Sequence, residues 1–384
     1  MSTPAAADSQ AGPKAKKGRF YLPALDSLRG ISCFLIVAVH LEQHKAETGL
    51  PHVADINALY DIGRPGLMMF FVLSGFLITL LLLKEREATG TVSYKTFYLK
   101  RVLRIWPLYY LVLLGSALIW QYHPPTLTLV LCMTILPNIA YYLGMPWETS
   151  PPQWSVGVEE QFYLFWPLVI NNVRRHLVKV LAAFVIGYTL LPHFIMYGLN
   201  HMAHPPEGLD RFVGRFFYGT KFNFLALGGI VACFWHRGYR PALLKNPIVS
   251  NVVLIVPFVL WFTGYYPPMV GDEMHALIFS VLIFHLSTME KPPYLLTNPV
   301  AVYIGKISYG IYMYHYAVLM LCFEFLLKHQ FGSSLQYNLV AYAVIYAFTL
   351  GTAALSYHTF ERFFLKLKDR LHPKRLPATG PPLS

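Results

Sequence analysis

Apolar runs recur from one end of the chain to the other, separated by short polar stretches. They fall approximately at 24–42, 66–83, 104–121, 126–142, 155–172, 176–198, 215–235, 248–264, 270–288, 300–327 and 335–358. Runs of about 20 apolar residues match the thickness of a bilayer's hydrocarbon core. In lipid a segment must satisfy its own backbone, so continuous apolarity of this kind predicts helices. The expected fold class is all-α, a polytopic transmembrane helical bundle. The fourth run is interrupted at Pro137–Asn138, which suits a re-entrant or broken segment better than a crossing.

Charge fixes the orientation and the number of crossings. Lys14, Lys16, Lys17 and Arg19 precede the first run, and Arg362, Lys366, Lys368, Arg370, Lys374 and Arg375 follow the last. Basic flanks stay in the cytoplasm, and two cytoplasmic termini require an even number of crossings. With 126–142 dipping in and returning, about ten crossings remain, and Arg174, Arg175 and Lys179 face inward. About 24 of the 31 Lys and Arg are then inner-facing. The expected location is the cell (inner) membrane. Residues 1–19 read as a disordered basic leader, 20–361 as one membrane domain and 362–384 as a basic tail. The first apolar run is too long for a signal-peptide core and is expected to be retained. No internal repeat or separate soluble domain is visible.

Composition supports this reading, with 55% hydrophobic residues, 16% aromatic residues and a mean hydropathy of +0.44. A net charge of +12 would suggest nucleic acid in a soluble protein. Here its distribution follows the membrane sides, and no nucleic-acid partner is expected. Cys33, Cys132, Cys233 and Cys322 all lie in apolar runs without metal-ligand spacing, so neither a disulfide framework nor a metal site is expected.

Charge inside the apolar runs is costly and therefore informative. In Leu25–His44, LDSLRGISCFLIVAVHLEQH, Arg29 and His40 are eleven positions apart. That spacing is three turns plus about 20°, so both share a face about 16 Å apart, with Cys33, Ile36 and Val37 between them. Glu159 and Glu160 lie just inside the outer end of the fifth run, at the depth expected for His40. Lys100, Arg101 and Arg104 form a basic mouth on the opposite side. Ser308, Tyr312 and His315 share one face of the tenth run. Each feature also has a plainer reading. Arg29 can snorkel to phosphates, and His40 can bond a neighbouring helix. Lys100, Arg101 and Arg104 can be topology-setting charges, and Ser74–Gly75 a close packing spot. The tyrosine-rich stripe can be an aromatic belt. Adjacent carboxylates at membrane depth are the hardest to explain without a partner or a water-filled cavity.

Five motifs in order carry a resemblance over about residues 20–361. They are L25-D-S-L-R-G30 with His40, F70-F-V-L-S-G-F-L77, R101-V-L-R-I-W-P107, W154-S-V-G-V-E-E-Q-F-Y163 and S308-Y-G-I-Y-M-Y-H315. Together they resemble the membrane O-acyltransferases of acyltransferase family 3. The resemblance implies transfer of an acetyl or other short acyl group from cytoplasmic acyl-CoA (acetyl-CoA) to a hydroxyl of a cell-envelope or exported glycan or glycoside. The donor is a substrate, and no permanently bound cofactor is implied. Unlike fused family members, the chain is expected to have no C-terminal extracytoplasmic hydrolase-like domain, so a separate extracytoplasmic partner protein stays an open expectation. Gly157 stands where the family often has a small polar residue.

The residues suit that chemistry. An alcohol is a poor nucleophile at neutral pH, so acyl transfer needs a base; His40, of a type with a reference pKa of about 6.5, can serve. Glu159 or Glu160 would orient the imidazole and stabilise its charge. Arg29, Lys100, Arg101 and Arg104 would bind donor phosphates, with the span from Arg29 to His40 as a slot for the thiol arm. Ser74, Trp154, Tyr163, Ser308 and His315 are candidates for positioning substrate. An acyl-cysteine at Cys33 is a variant mechanism. The alternative function is a transporter or flippase for a lipid-linked glycan, with His40, Glu159 and Glu160 coupling protons; only one broken segment, near Pro137, speaks for such a fold.

Overall fold

The computed structural model describes residues 21–52, 56–202, 206–267 and 270–371, without the side chains of 56–60. The expected leader 1–19 and most of the tail 362–384 lie outside the described residues. Among those residues there are fifteen α-helices and no strand. In chain order they are α1 (Pro23–Glu47), α2 (Ile56–Thr89), α3 (Tyr94–Ile119), α4 (Thr126–Met133), α5 (Pro137–Tyr142), α6 (Trp154–Asn172), α7 (Leu177–Asn200), α8 (Leu209–Thr220), α9 (Phe222–His236), α10 (Pro247–Phe262), α11 (Gly271–Thr288), α12 (Pro299–Lys306), α13 (Ser308–Phe325), α14 (Ser334–Ser356) and α15 (Arg362–Asp369).

Six spans are long and apolar enough to cross a bilayer by length and composition: α1, the 61–89 part of α2, α3, α7, α8 with α9, and α14 through α15. The protein is therefore an integral membrane protein with several crossings. Sequence reasoning counts ten, and the other four runs lie in α6, α10, α11 and α12 with α13. Each falls short of that standard for a visible reason. Helix α10 has only 16 residues, and Lys306–Ile307 divides α12 from α13. Polar residues dilute α6 (Glu159, Glu160, Gln161), α11 (Asp272, Glu273, His275) and α13 (four Tyr and His315).

The fourth run is two short helices. Helix α4 ends at Met133, Ile135 takes a left-handed φ of 59°, and Pro137 opens α5. Proline is suited to a first helical position because its missing N–H would be unsatisfied there anyway. Polar caps set other boundaries: Ser93 accepts from Thr96 N before α3, and Ser333 with Gln336 forms a capping box before α14.

Helix α1 is central, packed on α2, α12 and α13, while α6 lies against α2, α3 and α5. Helices α2 and α9 make the most extensive contact in the bundle. Two glycines permit it. A Cβ on Gly75 would sit 1.8 Å from the Leu225 carbonyl oxygen, and one on Gly228 2.0 Å from that of Val72. Small residues of this kind let membrane helices approach backbone to backbone. Trp166 Nε1 bonds Thr79 Oγ1 (2.7 Å) and so ties α6 to α2 beside this crossing.

Gly75→Ala and Gly228→Ala should each push the two helices apart and destabilise the fold by at least about 1–3 kcal/mol. Thermal unfolding of the detergent-solubilised protein measures this, with Gly187→Ala, whose Cβ would meet nothing within 4 Å, expected to unfold at the wild-type temperature.

Candidate active site

A cavity of about 290 Å³ lies where the start of α1, the middle of α2, the start of α3 and the first half of α6 meet α13. Its polar lining includes Asp26, Arg29, Ser74, Arg101, Arg104, Ser155, Glu159, Tyr163, Ser308 and Tyr312. Its apolar lining comes mainly from α2, through Leu67, Phe70, Phe71, Leu77, Ile78, Leu80 and Leu81. The five motifs of the sequence each contribute at least one residue.

Glu159 is the anionic centre. It accepts from Tyr163 OH at 2.9 Å, and Tyr163 OH is also hydrogen-bonded to Ser74 Oγ. Tyr163 is four residues after Glu159, one helical turn along the same face. The charges of Arg101 and Arg29 both act on this carboxylate. Arg29 Nη1 is paired with Asp26 Oδ1 at 3.1 Å, and the Arg101 guanidinium sits 5.5 Å from the Tyr163 ring centroid. Arg101 Nε is buried without a hydrogen-bond partner. Arg104 is exposed at the rim. The cavity gathers three guanidinium groups and two carboxylates, Asp26 and Glu159, and the unpartnered Arg101 Nε leaves donor capacity for an anionic ligand.

Glu160 points elsewhere. Trp106 Nε1 donates to its Oε2 at 2.9 Å, and its Oε1 is buried with no partner. Neither Glu160 nor Lys100 lines the cavity. Trp154 also lies outside it, stacked on Tyr141 at a centroid distance of 5.5 Å.

His40 is at the other end of α1 and does not line the cavity. Its Nδ1 lies 2.8 Å from Nε2 of His315, and the two rings are nearly parallel, 12° apart. Tyr316 meets the His40 ring edge-on. His315 is fully buried, whereas His40 is partly exposed. Between this pair and the cavity stands Tyr312. Its ring contacts Phe70 and His315, and its hydroxyl bonds Ser155 Oγ (2.7 Å) and the Pro152 carbonyl (2.8 Å).

Two expectations change here. The glutamates do not share His40's neighbourhood: Glu159 belongs with Arg29 and Arg101, and the hydrogen bonds of both glutamates go to Tyr163 and Trp106. Position along a helix gives depth only roughly and does not say which helix is beside it. The stripe between Arg29 and His40 is also not an open slot. Cys33 and Val37 are buried against Ile307 and Ile311, and Cys33 Sγ donates to the Ser308 carbonyl at 3.2 Å. The open path runs instead along α2 and α6, past Ser74, Phe70 and Ser155.

Asp26, Trp106 and Tyr309 join the site as partners that sequence reasoning did not single out, and Tyr312, marked there only as part of the polar stripe, joins it too. Asp26 and Trp106 stand inside the quoted motifs, three residues before Arg29 and two after Arg104. Tyr309 OH donates to the Ile105 carbonyl at 2.8 Å and fixes α13 to α3 at the cavity wall. Gly157 has a packing reason: its Cβ would fall 2.7 Å from Asn138 Oδ1 and 2.8 Å from Pro137 Cδ. Any side chain there would drive α6 away from α5.

The acyltransferase family 3 model, described as an acyltransferase domain, matches residues 22–358. The chain belongs to this family. It is 28% identical to a protein of Staphylococcus aureus named "Putative O-acetyltransferase", over 92% of this chain and 58% of that one. It is also 28% identical to the peptidoglycan O-acetyltransferase OatA of Listeria monocytogenes, over 79% of this chain and 50% of that one. The chain thus spans about half the length of the curated relatives it matches. No solved structure matches it.

Trp106→Phe should leave the Glu160 carboxylate buried with no donor and cost about 1–3 kcal/mol, while Trp106→Phe with Glu160→Leu, which removes both partners, should recover most of that loss. The order of thermal unfolding midpoints among wild type, single and double variant checks it.

Proposed function

We propose that the chain is a membrane O-acyltransferase that moves an acetyl or other short acyl group from acyl-CoA to a hydroxyl of a cell-envelope glycan, with His40 as general base. The observation that carries this reading is the cavity with Arg29, Arg101 and Arg104 at one end and the His40 and His315 pair beyond its other end. Guanidinium forks suit the phosphates of a coenzyme, and an apolar channel lined by α2 suits a flexible thiol arm. Family membership and the names of the relatives from Staphylococcus aureus and Listeria monocytogenes point the same way.

In this reading the donor enters from the cytoplasm, in keeping with both termini on that side of the inner membrane, and its phosphates rest on Arg29, Arg101 and Arg104. The arm lies along Ser74 and Phe70, bringing the thioester to the level of Tyr312. Glu159 keeps the arginines oriented rather than serving as the base. The acceptor hydroxyl approaches from the opposite side and loses its proton to His40 as its oxygen attacks the acyl carbon. The carbon–sulfur bond breaks, and the departing thiolate takes a proton back from the imidazolium. Atoms balance: alcohol and thioester become ester and thiol.

Purified protein in lipid nanodiscs, given radiolabelled acetyl-CoA and an envelope glycan, tests this. His40→Ala should lower glycan labelling by about 10²–10⁴-fold at an unchanged protein level. Arg101→Ala should raise the donor KM by about 10–100-fold, the worth of a charge-assisted hydrogen bond. A wild-type protein that consumes no acyl-CoA, or a His40→Ala variant at the wild-type rate, would overturn the reading.

A further inference from the structure

The hydrogen bonds around His315 decide which nitrogen of His40 carries a proton. His315 Nδ1 lies 2.6 Å from the backbone carbonyl oxygen of Tyr312. A carbonyl can only accept, so this nitrogen must be the protonated one. In a neutral imidazole the other nitrogen is then an acceptor. His315 Nε2 therefore accepts, and the atom facing it at 2.8 Å, Nδ1 of His40, must donate. His40 is left with a bare Nε2, which has no hydrogen-bond partner among the described residues.

A doubly protonated His315 would reverse these roles. That state puts a cation on a fully buried ring, and no carboxylate is hydrogen-bonded to His315 among the described residues. Burying an unpaired charge is far more costly than burying a neutral ring with both nitrogens bonded. The neutral chain of donors runs one way only, from His40 Nδ1–H to His315 Nε2 and from His315 Nδ1–H to Tyr312 O.

We infer that His315 is a positioning residue for His40: it holds the imidazole in the Nδ1–H tautomer and keeps Nε2 free to take the acceptor's proton. This rests on the proposed acyl transfer and assigns the orienting role to a second histidine in place of either glutamate. When His40 Nε2 takes the hydroxyl proton, the ring becomes a cation whose Nδ1–H points at a neutral acceptor. No step needs a further reactant: the proton that Nε2 takes from the hydroxyl is the one it returns to the leaving thiolate.

The carbonyl used here is made available by its place in the helix. Tyr312 and His315 are three residues apart in α13, so the His315 side chain reaches back to the preceding turn. The Tyr312 side chain is held separately by Ser155 and Pro152, and this fixes the backbone from which the carbonyl projects. His315 is thus anchored on α13, with Tyr312 held by Ser155 of α6 and by Pro152 just before it, while the base it orients is on α1.

Nitrogen-15 NMR of histidine-labelled protein in nanodiscs reads the tautomer directly, with the His40 signals assigned by their loss in His40→Gln. Wild type should show protonated Nδ1 and bare Nε2 at His40. His315→Leu, which offers no acceptor, should let His40 revert to the Nε2–H form and lower kcat by about 10²-fold, with the donor KM unchanged. His315→Gln, whose amide oxygen can accept, should restore activity to within about tenfold of wild type. A wild-type His40 protonated on Nε2, or a His315→Leu variant within about twofold of wild-type kcat, overturns the inference. Loss in the Leu variant without rescue by Gln does so too, since it marks a packing role. Failure of the acyl-transfer reading shows separately, as no turnover by wild type whatever the tautomer.

Discussion

A carboxylate enclosed by apolar helices must be matched by cations and donors, and the middle of this molecule is arranged to meet that demand. Glu159 draws Tyr163 and Ser74 by hydrogen bond and stands in the field of Arg29 and Arg101. Those residues come from four helices, α1, α2, α3 and α6, so satisfying one carboxylate fixes how the four meet. Removing either member of such a buried pair leaves an uncompensated charge, which is costlier than never having had the pair. The cavity lies within the same arrangement: Arg29, Arg101 and Arg104 line it beside Asp26 and Glu159, and the buried Nε of Arg101 has no hydrogen-bond partner.

The same demand is met elsewhere by smaller sets. Near the far end of α1, Lys45 is fully buried, bonded to Glu42 at 2.5 Å and to Asn338 at 2.6 Å, which pins α1 to α14. Lys221, in a left-handed conformation between α8 and α9, pairs with Asp272 at the start of α11. Arg64 joins that carboxylate from α2 at 3.2 Å. Each of these charges has an ion-pair partner within its own cluster. At the cavity, Arg101 Nε is buried with no hydrogen-bond partner, and that spare donor sets the place apart for an anionic ligand.

Helices were legible from sequence because lipid leaves a chain few alternatives, and the break near Pro137 was legible because proline cannot continue a helix without losing a bond. The arginines were legible as a group, since the spacing of Arg101 and Arg104 places both on one side of α3. What sequence could not supply was the azimuth of one helix against another. Eleven residues put Arg29 and His40 on the same face of α1, yet that face meets different neighbours along its length. It lines the cavity at Arg29, meets α13 at Cys33, and meets His315 at His40. Depth alone does not say which group Glu159 joins, and in the structure it stands with Tyr163, Ser74 and the arginines.

The separation has a physical consequence for the chemistry. If Glu159 bonded His40 directly, the carboxylate would be shared between holding the arginines and stabilising the imidazolium, and a bound donor would compete with the base for the same charge. With His315 beside His40, the proposed base would be oriented by neutral groups, and the carboxylate would be left to the end of the site proposed for the donor. Tyr312 stands between the two, in ring contact with His315 on one side and lining the cavity on the other. Its backbone carbonyl anchors His315 while its hydroxyl is anchored on α6. The two ends of the site are thereby coupled by position rather than by charge. One residue of α13 sets both where the cavity ends and how the imidazole beyond it is turned.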